Sequence, residues 1–161
     1  MIDPKGRVLA PPNGGRRPAV FVSWYGAQEY CRAQGKRLPL DPEWEHAAKG
    51  RTLRPFAWGA QAPRPDTVAF GRSQGLQPGP REVRSSEQDR SPEGVFDLGG
   101  NVAEWVDDAD GDRKTVRGGS WHSEGPCHLL SSGCAFQKAD EVGQRDVGFR
   151  CARSVTMATK G

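Results

Sequence analysis

Between Arg51 and Pro92 the sequence has no hydrophobic periodicity of either kind. Apolar residues recur neither at helical spacing nor in the alternation of a strand. Pro, Gly, Gln and Ser dominate, and Phe56, Trp58 and Phe70 stand as isolated anchors. A stretch this long without elements is uncommon inside a compact domain; it is either functional or tied down. This argues against a helical bundle, a coiled coil and a solenoid. It leaves a loop-rich globular domain, whose backbone polar groups need partners outside regular ladders.

Composition sharpens that reading. Gly and Pro number 21 and 13. Leu, Ile, Val and Phe total 27 of 161 residues, below the roughly one fifth at which disorder competes. Five Trp and a net charge of only +3 oppose disorder, since each buried aromatic removes a large apolar area from water. The same small charge gives no ground for nucleic acid or an acidic membrane as partner. No apolar run approaches the length of a membrane span. The opening MIDPKGRVLA lacks an apolar core, so no signal peptide is expected in this chain, and its compartment is left open.

Two helices stand out. Ser23 is a candidate N-cap, with Trp24, Ala27, Tyr30 and Cys31 on one face and Gly35 at the C-terminus. Asp41 is read as the cap of the second, with Pro42 at its first position, Trp44, Ala47 and Ala48 on its apolar face, and Gly50 at its end. Pro18 to Val22 reads as a strand or extended entry. Val102 to Val106 follows Gly99-Gly100-Asn101, Thr115 to Arg117 reads as a short strand, and Val147 to Ala152 as a closing one. Residues 122–146 read as irregular. Trp24, Trp44, Trp105 and Trp121 are the expected core. The acidic run Asp107 to Asp112 is not an EF-hand: counted from Asp108, the sixth position is Arg113 rather than Gly and the twelfth is Gly119 rather than Glu.

The cysteines are Cys31, Cys127, Cys134 and Cys151. Three pairings are possible, and spacing does not choose between them. No C-x-x-C is present, which argues against a zinc knuckle or a thioredoxin-type site.

Five segments, in order, resemble the formylglycine-generating enzyme family, also called the sulfatase-modifying-factor domain. They are PAVFVSWYGAQEYCRAQGKRLPLDPEWEHAAKG, FAWG, GVFDLGGNVAEWVDD, VRGGSW and GFRCA. The resemblance implies an α+β, C-type-lectin-like fold with two helices, short strands and much ordered loop. It divides the chain into an arm (1–17), a family domain (18–153) that lacks the usual N-terminal portion, and a tail (154–161). The chain is thus a minimal member or a piece of a longer protein. Cys31 and Cys151 match the two ends of a family disulfide. Cys134 lacks its usual partner, which would fall at Ala48, and is left to pair with Cys127 or stay free.

The resemblance also implies a calcium site at Asp97, Gly100, Val102 and Glu104: two carboxylates and two carbonyls, the hard oxygens that Ca²⁺ requires. The family usually has Asn where Asp97 stands. A second family site is not expected, because Ala69 replaces its Asn. Family enzymes oxidise a substrate cysteine with O₂ and Cu(I) held by two thiolates, and soft Cu(I) suits sulfur. Counted from Ser120, the first thiolate position falls on Ser123 and the second on His128, which Cys127 reaches if one residue is deleted. A serine hydroxyl is a hard donor and does not replace a thiolate on Cu(I).

Two functions follow. The first is a divergent, calcium-stabilised module without formylglycine-generating activity. It would bind a peptide, a small ligand or a protein partner, or other domains of a longer chain, in a groove of residues 121–146 that includes Trp121, His122, His128 and Arg117. The alternative is a copper-dependent oxidase that converts a sulfatase-type cysteine to formylglycine, with Cys127, Ser123 and Ser120 as its catalytic set. Arg117 and Arg150 either contact anions in the groove or pair with buried carboxylates such as Glu45 or Glu104. The three His, at 46, 122 and 128, form no H-x₃-H-x-E motif, so the chain alone does not resemble the sulfoxide synthases that share this fold.

Overall fold

The computed structural model describes residues 15–64, 66–71, 79–107, 113–124, 126–129, 136–139 and 143–155. Helix α1 spans Trp24–Ala33 and α2 spans Asp41–Lys49. Four short strands follow: β1 (Ala103–Trp105), β2 (Arg113–Arg117), β3 (Phe136–Ala139) and β4 (Val147–Phe149). Two 3₁₀ turns, Glu87–Asp89 and Pro126–Leu129, lie in the connections. The architecture is mixed α+β with little regular structure, as the sequence implies. No helix among the described residues is long and apolar enough to cross a membrane.

α1 begins where expected. The Ser23 hydroxyl accepts from the Gly26 N–H at 3.1 Å, satisfying one of the helix's orphan donors. Its buried face is Trp24, Ala27 and Cys31; Tyr30 is exposed instead. The start of α2 differs from expectation by one residue. Leu40 is the N-cap, and Asp41 and Pro42 are already helical. The Glu43 carboxylate reaches back to the Leu40 N–H at 2.9 Å, so the first turn is satisfied from inside the helix. Asp41 is not used as a cap because its carboxylate binds Arg117, with both distances 2.5 Å.

The sheet order is β3-β2-β1-β4. β1 runs antiparallel to β2, with Glu104 opposite Arg117, and parallel to β4, with Glu104 opposite Gly148. β2 pairs antiparallel with β3, a strand inside the stretch read as irregular. Residues 18–22, read as a strand or extended entry, join no ladder among the described residues. Phe21 adopts a positive φ of 58°, and its N–H donates to the Gln144 carbonyl at 2.9 Å.

Two apolar clusters flank the sheet. One gathers Trp24, Ala27, Cys31 and Leu38 against Ala103, Trp105, Val116 and Val147. The other sets Trp44 and Ala48 of α2 against Ala57, Leu98 and Val106. All four expected core tryptophans are buried. Three also hydrogen-bond across the fold: Trp24 Nε1 to the Val106 carbonyl (2.9 Å), Trp105 Nε1 to the Val22 carbonyl (3.0 Å) and Trp44 Nε1 to Glu104 (2.8 Å). The Cys31–Cys151 disulfide joins α1 to the chain just after β4, with Cα atoms 5.5 Å apart and a sequence separation of 120. Cys134 and the side chain of Cys127 lie outside the described residues, as do the acidic residues 108–112.

The described parts of the long aperiodic stretch are tied to the elements on either side. Arg54 is buried; its guanidinium donates to the carbonyls of Ala47 and Ala48 at the end of α2 and pairs with Glu93. Farther on, the Ala69 carbonyl accepts from the Asn101 N–H (2.9 Å), and the Arg84 N–H donates to Asp97 Oδ2 (2.9 Å). These described parts of the loop are thus anchored on the segment that carries the candidate site residues.

Candidate functional site

The segment from Phe96 to Glu104 is bent by three residues with positive φ: Asp97 at 57°, Gly100 at 108° and Asn101 at 58°. Gly100 has no substitute here. A Cβ built on it would lie 2.7 Å from the Ala69 carbonyl oxygen, well inside contact distance. Asn101 tolerates the left-handed region because its short amide hydrogen-bonds to backbone, here that of Arg81. It is 2% exposed; its Oδ1 accepts from the Arg81 N–H at 2.9 Å, and its carbonyl accepts from the Trp121 N–H at 2.9 Å. Asn101 therefore joins the aperiodic loop, the Asp97 segment and the groove. It was not among the expected site residues, although an Asn directly after two glycines signals such a bend.

Asp97 and Glu104, the two expected carboxylates, face a cleft of about 380 Å³ whose walls include Arg84, Phe96, Val102 and Arg150. Glu104 is 5% exposed. Its carboxylate accepts from Trp44 Nε1 and takes a bidentate pair from Arg150, at 2.5 and 2.6 Å. The Arg150 guanidinium also reaches the carbonyls of Phe96 (3.1 Å) and Asp97 (3.2 Å), stitching the bend to β4. Burial opposes the Arg150 charge, but Glu104, with Asp97 and Asp89, holds its pKa above the ordinary arginine value. Burial pushes the Asp97 carboxyl up, against the pull of the Arg84 N–H and of Arg150. Asp89, on the neighbouring 3₁₀ turn, is pushed up to about 8 by burial and then by the Asp97 charge. No sequence motif surrounds Asp89, and only the folded chain brings it to Asp97.

These residues fit a calcium ion. Asp97 and Glu104 bring two carboxylates to the cleft, against the Arg84 and Arg150 side chains in its walls. Glu104 has used three of the roughly four lone-pair positions of a carboxylate, leaving one. Among the described residues, no three His, Cys, Asp or Glu side chains make a metal cluster by themselves. An ion here needs backbone oxygens such as the carbonyls of Gly100 and Val102.

The second expected region lies past β2. Ser123 Oγ accepts from the Ser120 N–H at 2.9 Å and lies 3.4 Å from Ser120 Oγ. Ser120 Oγ in turn donates to Asp146 at 3.0 Å. These hydroxyls lock the turn after Gly118-Gly119. Trp121 and His122 follow. The Arg145 guanidinium sits 5.4 Å over the Trp121 ring and 3.1 Å from His122 Nε2. Trp121 Nε1 is buried with no hydrogen-bond partner among the described residues. His128 packs on the other side of the turn, so close that a Cβ on Gly119 would be 2.9 Å from its own Cβ. The Arg117 guanidinium is buried, paired with Asp41 and 3.8 Å from Glu45, while Glu104 across the sheet pairs with Arg150. Ser123 does not fit Cu(I): it brings a hard hydroxyl to a soft ion.

Comparison with known proteins places this geometry. Residues 4–155 match the model of the sulfatase-modifying factor enzyme 1-like domain. The chain is 29% identical over 174 residues to the serine/threonine-protein kinase pkn1 of Chlamydia pneumoniae, covering 93% of this chain and 26% of the kinase. It is 31% identical over 171 residues to the inactive C-alpha-formylglycine-generating enzyme 2 of Bos taurus, covering 91% of this chain and 55% of that protein. The chain thus spans from about a quarter to about half of these relatives. Among solved structures, Treponema denticola variable protein 1 superposes with a TM-score of 0.70 at 21% identity, over 92% of this chain and 75% of that one. The fold is therefore the one the resemblance implied, and the chain belongs to the sulfatase-modifying factor enzyme 1-like domain family.

Proposed function

We propose that this domain is a divergent binding module without formylglycine-generating activity, braced by calcium at Asp97, Gly100, Val102 and Glu104. The observation that carries this reading is Ser123. Where an oxidase of the family needs its first thiolate, this chain has a hydroxyl spent on the backbone of Ser120. Asp97 and Glu104 supply the charge for the ion and the two carbonyls supply neutral oxygens; the ion would bind the bend to β1. The bovine relative, by name an inactive enzyme, accords with this reading.

Trp121, His122 and Arg145 support one class of ligand. A buried indole N–H without an acceptor among the described residues, a guanidinium stacked on the same ring and a histidine beside it favour an acceptor-rich ligand. A peptide or protein segment that offers carbonyls or a carboxylate matches that set. The test uses reduced protein with a competitive Cu(I) chelator, and a Cys-x-Pro-x-Arg peptide under O₂. No specific copper binding and no aldehyde product are expected. Tight one-to-one copper binding that is lost in Cys127→Ser, with aldehyde formed, would establish the oxidase instead.

A further inference from the structure

Asp97 has a second face. Away from the cleft that Glu104 lines, it borders a separate cavity of about 10 Å³, room for one ion or one water. Oxygen-bearing side chains of Thr67, Ser85, Ser86, Asp89, Asp97 and Asn101 line it, and Arg81 stands at its wall. Asp89 is 3% exposed, and its Oδ1 is buried with no hydrogen-bond partner among the described residues. A buried carboxylate oxygen is ordinarily paired or hydrogen-bonded. Neither nearby guanidinium bonds this oxygen: Arg150 turns Nε and Nη2 to Glu104 and to the carbonyls of Phe96 and Asp97, and Arg81 gives Oδ1 no bond. The two aspartates are held together by the backbone. The Asp97 N–H donates to the Asp89 carbonyl at 3.2 Å, and Arg90 and Phe96 form a bridge beside them.

We propose that Asp89 and Asp97 hold one hard divalent cation of the calcium class in this cavity, with Asp97 as the wall it shares with the calcium brace proposed above. The lining offers oxygen and no sulfur or imidazole, which suits calcium and disfavours soft metals. The cation gives the stranded oxygen of Asp89 its partner and ties the end of the aperiodic loop to the bend at Asp97. This site goes beyond the brace and uses a carboxylate that no motif marks.

The test is a calorimetric titration of metal-free protein with calcium chloride in a potassium chloride background, with Asp89→Asn and Glu104→Gln alongside. The wild type is expected to bind two ions. Asp89→Asn should lose one of them or bind it at least about tenfold more weakly, while Glu104→Gln keeps it. If Asp89→Asn titrates like wild type, a water fills the cavity and the proposal is overturned, whatever happens to the brace. A single wild-type ion lost only in Asp89→Asn supports this site and removes the brace; one lost only in Glu104→Gln does the reverse. A single ion lost in both variants overturns the separate cavity and makes both residues ligands of one ion. No calcium binding by wild type overturns both sites. Should Asp89→Asn fail to fold, calcium-difference infrared spectra of wild type carrying ¹³C-carboxylate aspartate decide. Two responding aspartates support the proposal, and one overturns it.

Discussion

Replacing Glu104 by Gln keeps the shape of the side chain and removes only its charge. In the native structure that charge lies 5% exposed between Trp44 and Arg150. An amide oxygen still accepts from the Trp44 indole, but the amide nitrogen faces the guanidinium as donor to donor. The lost attraction between charges ~4 Å apart at an effective dielectric of ~20 is about 4 kcal/mol. Breaking one partner out of a buried pair costs ~3–5 kcal/mol, which agrees. The Arg150 side chain is 29% exposed, so water recovers part of this and the expected loss is about 3 kcal/mol. In a chain of this size that lowers the melting temperature by roughly 10 °C. The assay is urea and thermal unfolding in excess chelator, so that bound calcium does not enter the comparison. A double-mutant cycle with Arg150→Met isolates the pair. A loss below ~1 kcal/mol, or a coupling energy near zero, refutes the idea that this buried pair organises the site.

Removing the disulfide with Cys31→Ala and Cys151→Ala opens a loop of 120 residues, which costs about 5 kcal/mol in the chain-entropy model; denaturant unfolding checks this, and a change under ~1 kcal/mol contradicts it. Gly100→Ala places a methyl against the Ala69 carbonyl at a φ of 108°, so a loss of about 2 kcal/mol or more is expected in the same assay. Glu43 is held at about 2 by its hydrogen bonds to Arg37 and to the Leu40 N–H. A carboxyl whose pKa is depressed on folding contributes stability above the unfolded value, and that contribution is lost as pH falls from about 4.5 towards 2. The side chain is 43% exposed, so solvent screening limits the effect to about 1 kcal/mol; Glu43→Gln should flatten the acid limb of the unfolding curve, and an unchanged limb speaks against the pairing.

Local signals carried much of this fold. Ser23, Gly35 and the spacing of Trp24, Ala27 and Cys31 mark α1 because a cap and a buried face are properties of neighbouring residues. The segment GVFDLGGNVAEW marked the site for the same reason: its bend is set by consecutive residues. β3 was not legible, because a four-residue strand has too few residues to show alternation and exists only through its partner β2.

By itself the sequence determined the family, the two helices, the tryptophan core and the hydroxyl at Ser123. Tertiary structure alone decided which charges meet. Asp41, a plausible cap, turned to Arg117. Glu104 took Arg150, and Arg117 pairs with α2. Asp89, in an unremarked turn, came to rest against Asp97. Each of these pairings joins residues far apart in the chain, and a buried charge takes whichever partner the packing brings within a few ångströms. Spacing along a chain reports caps and faces; it carries no record of which distant carboxylate a guanidinium will reach.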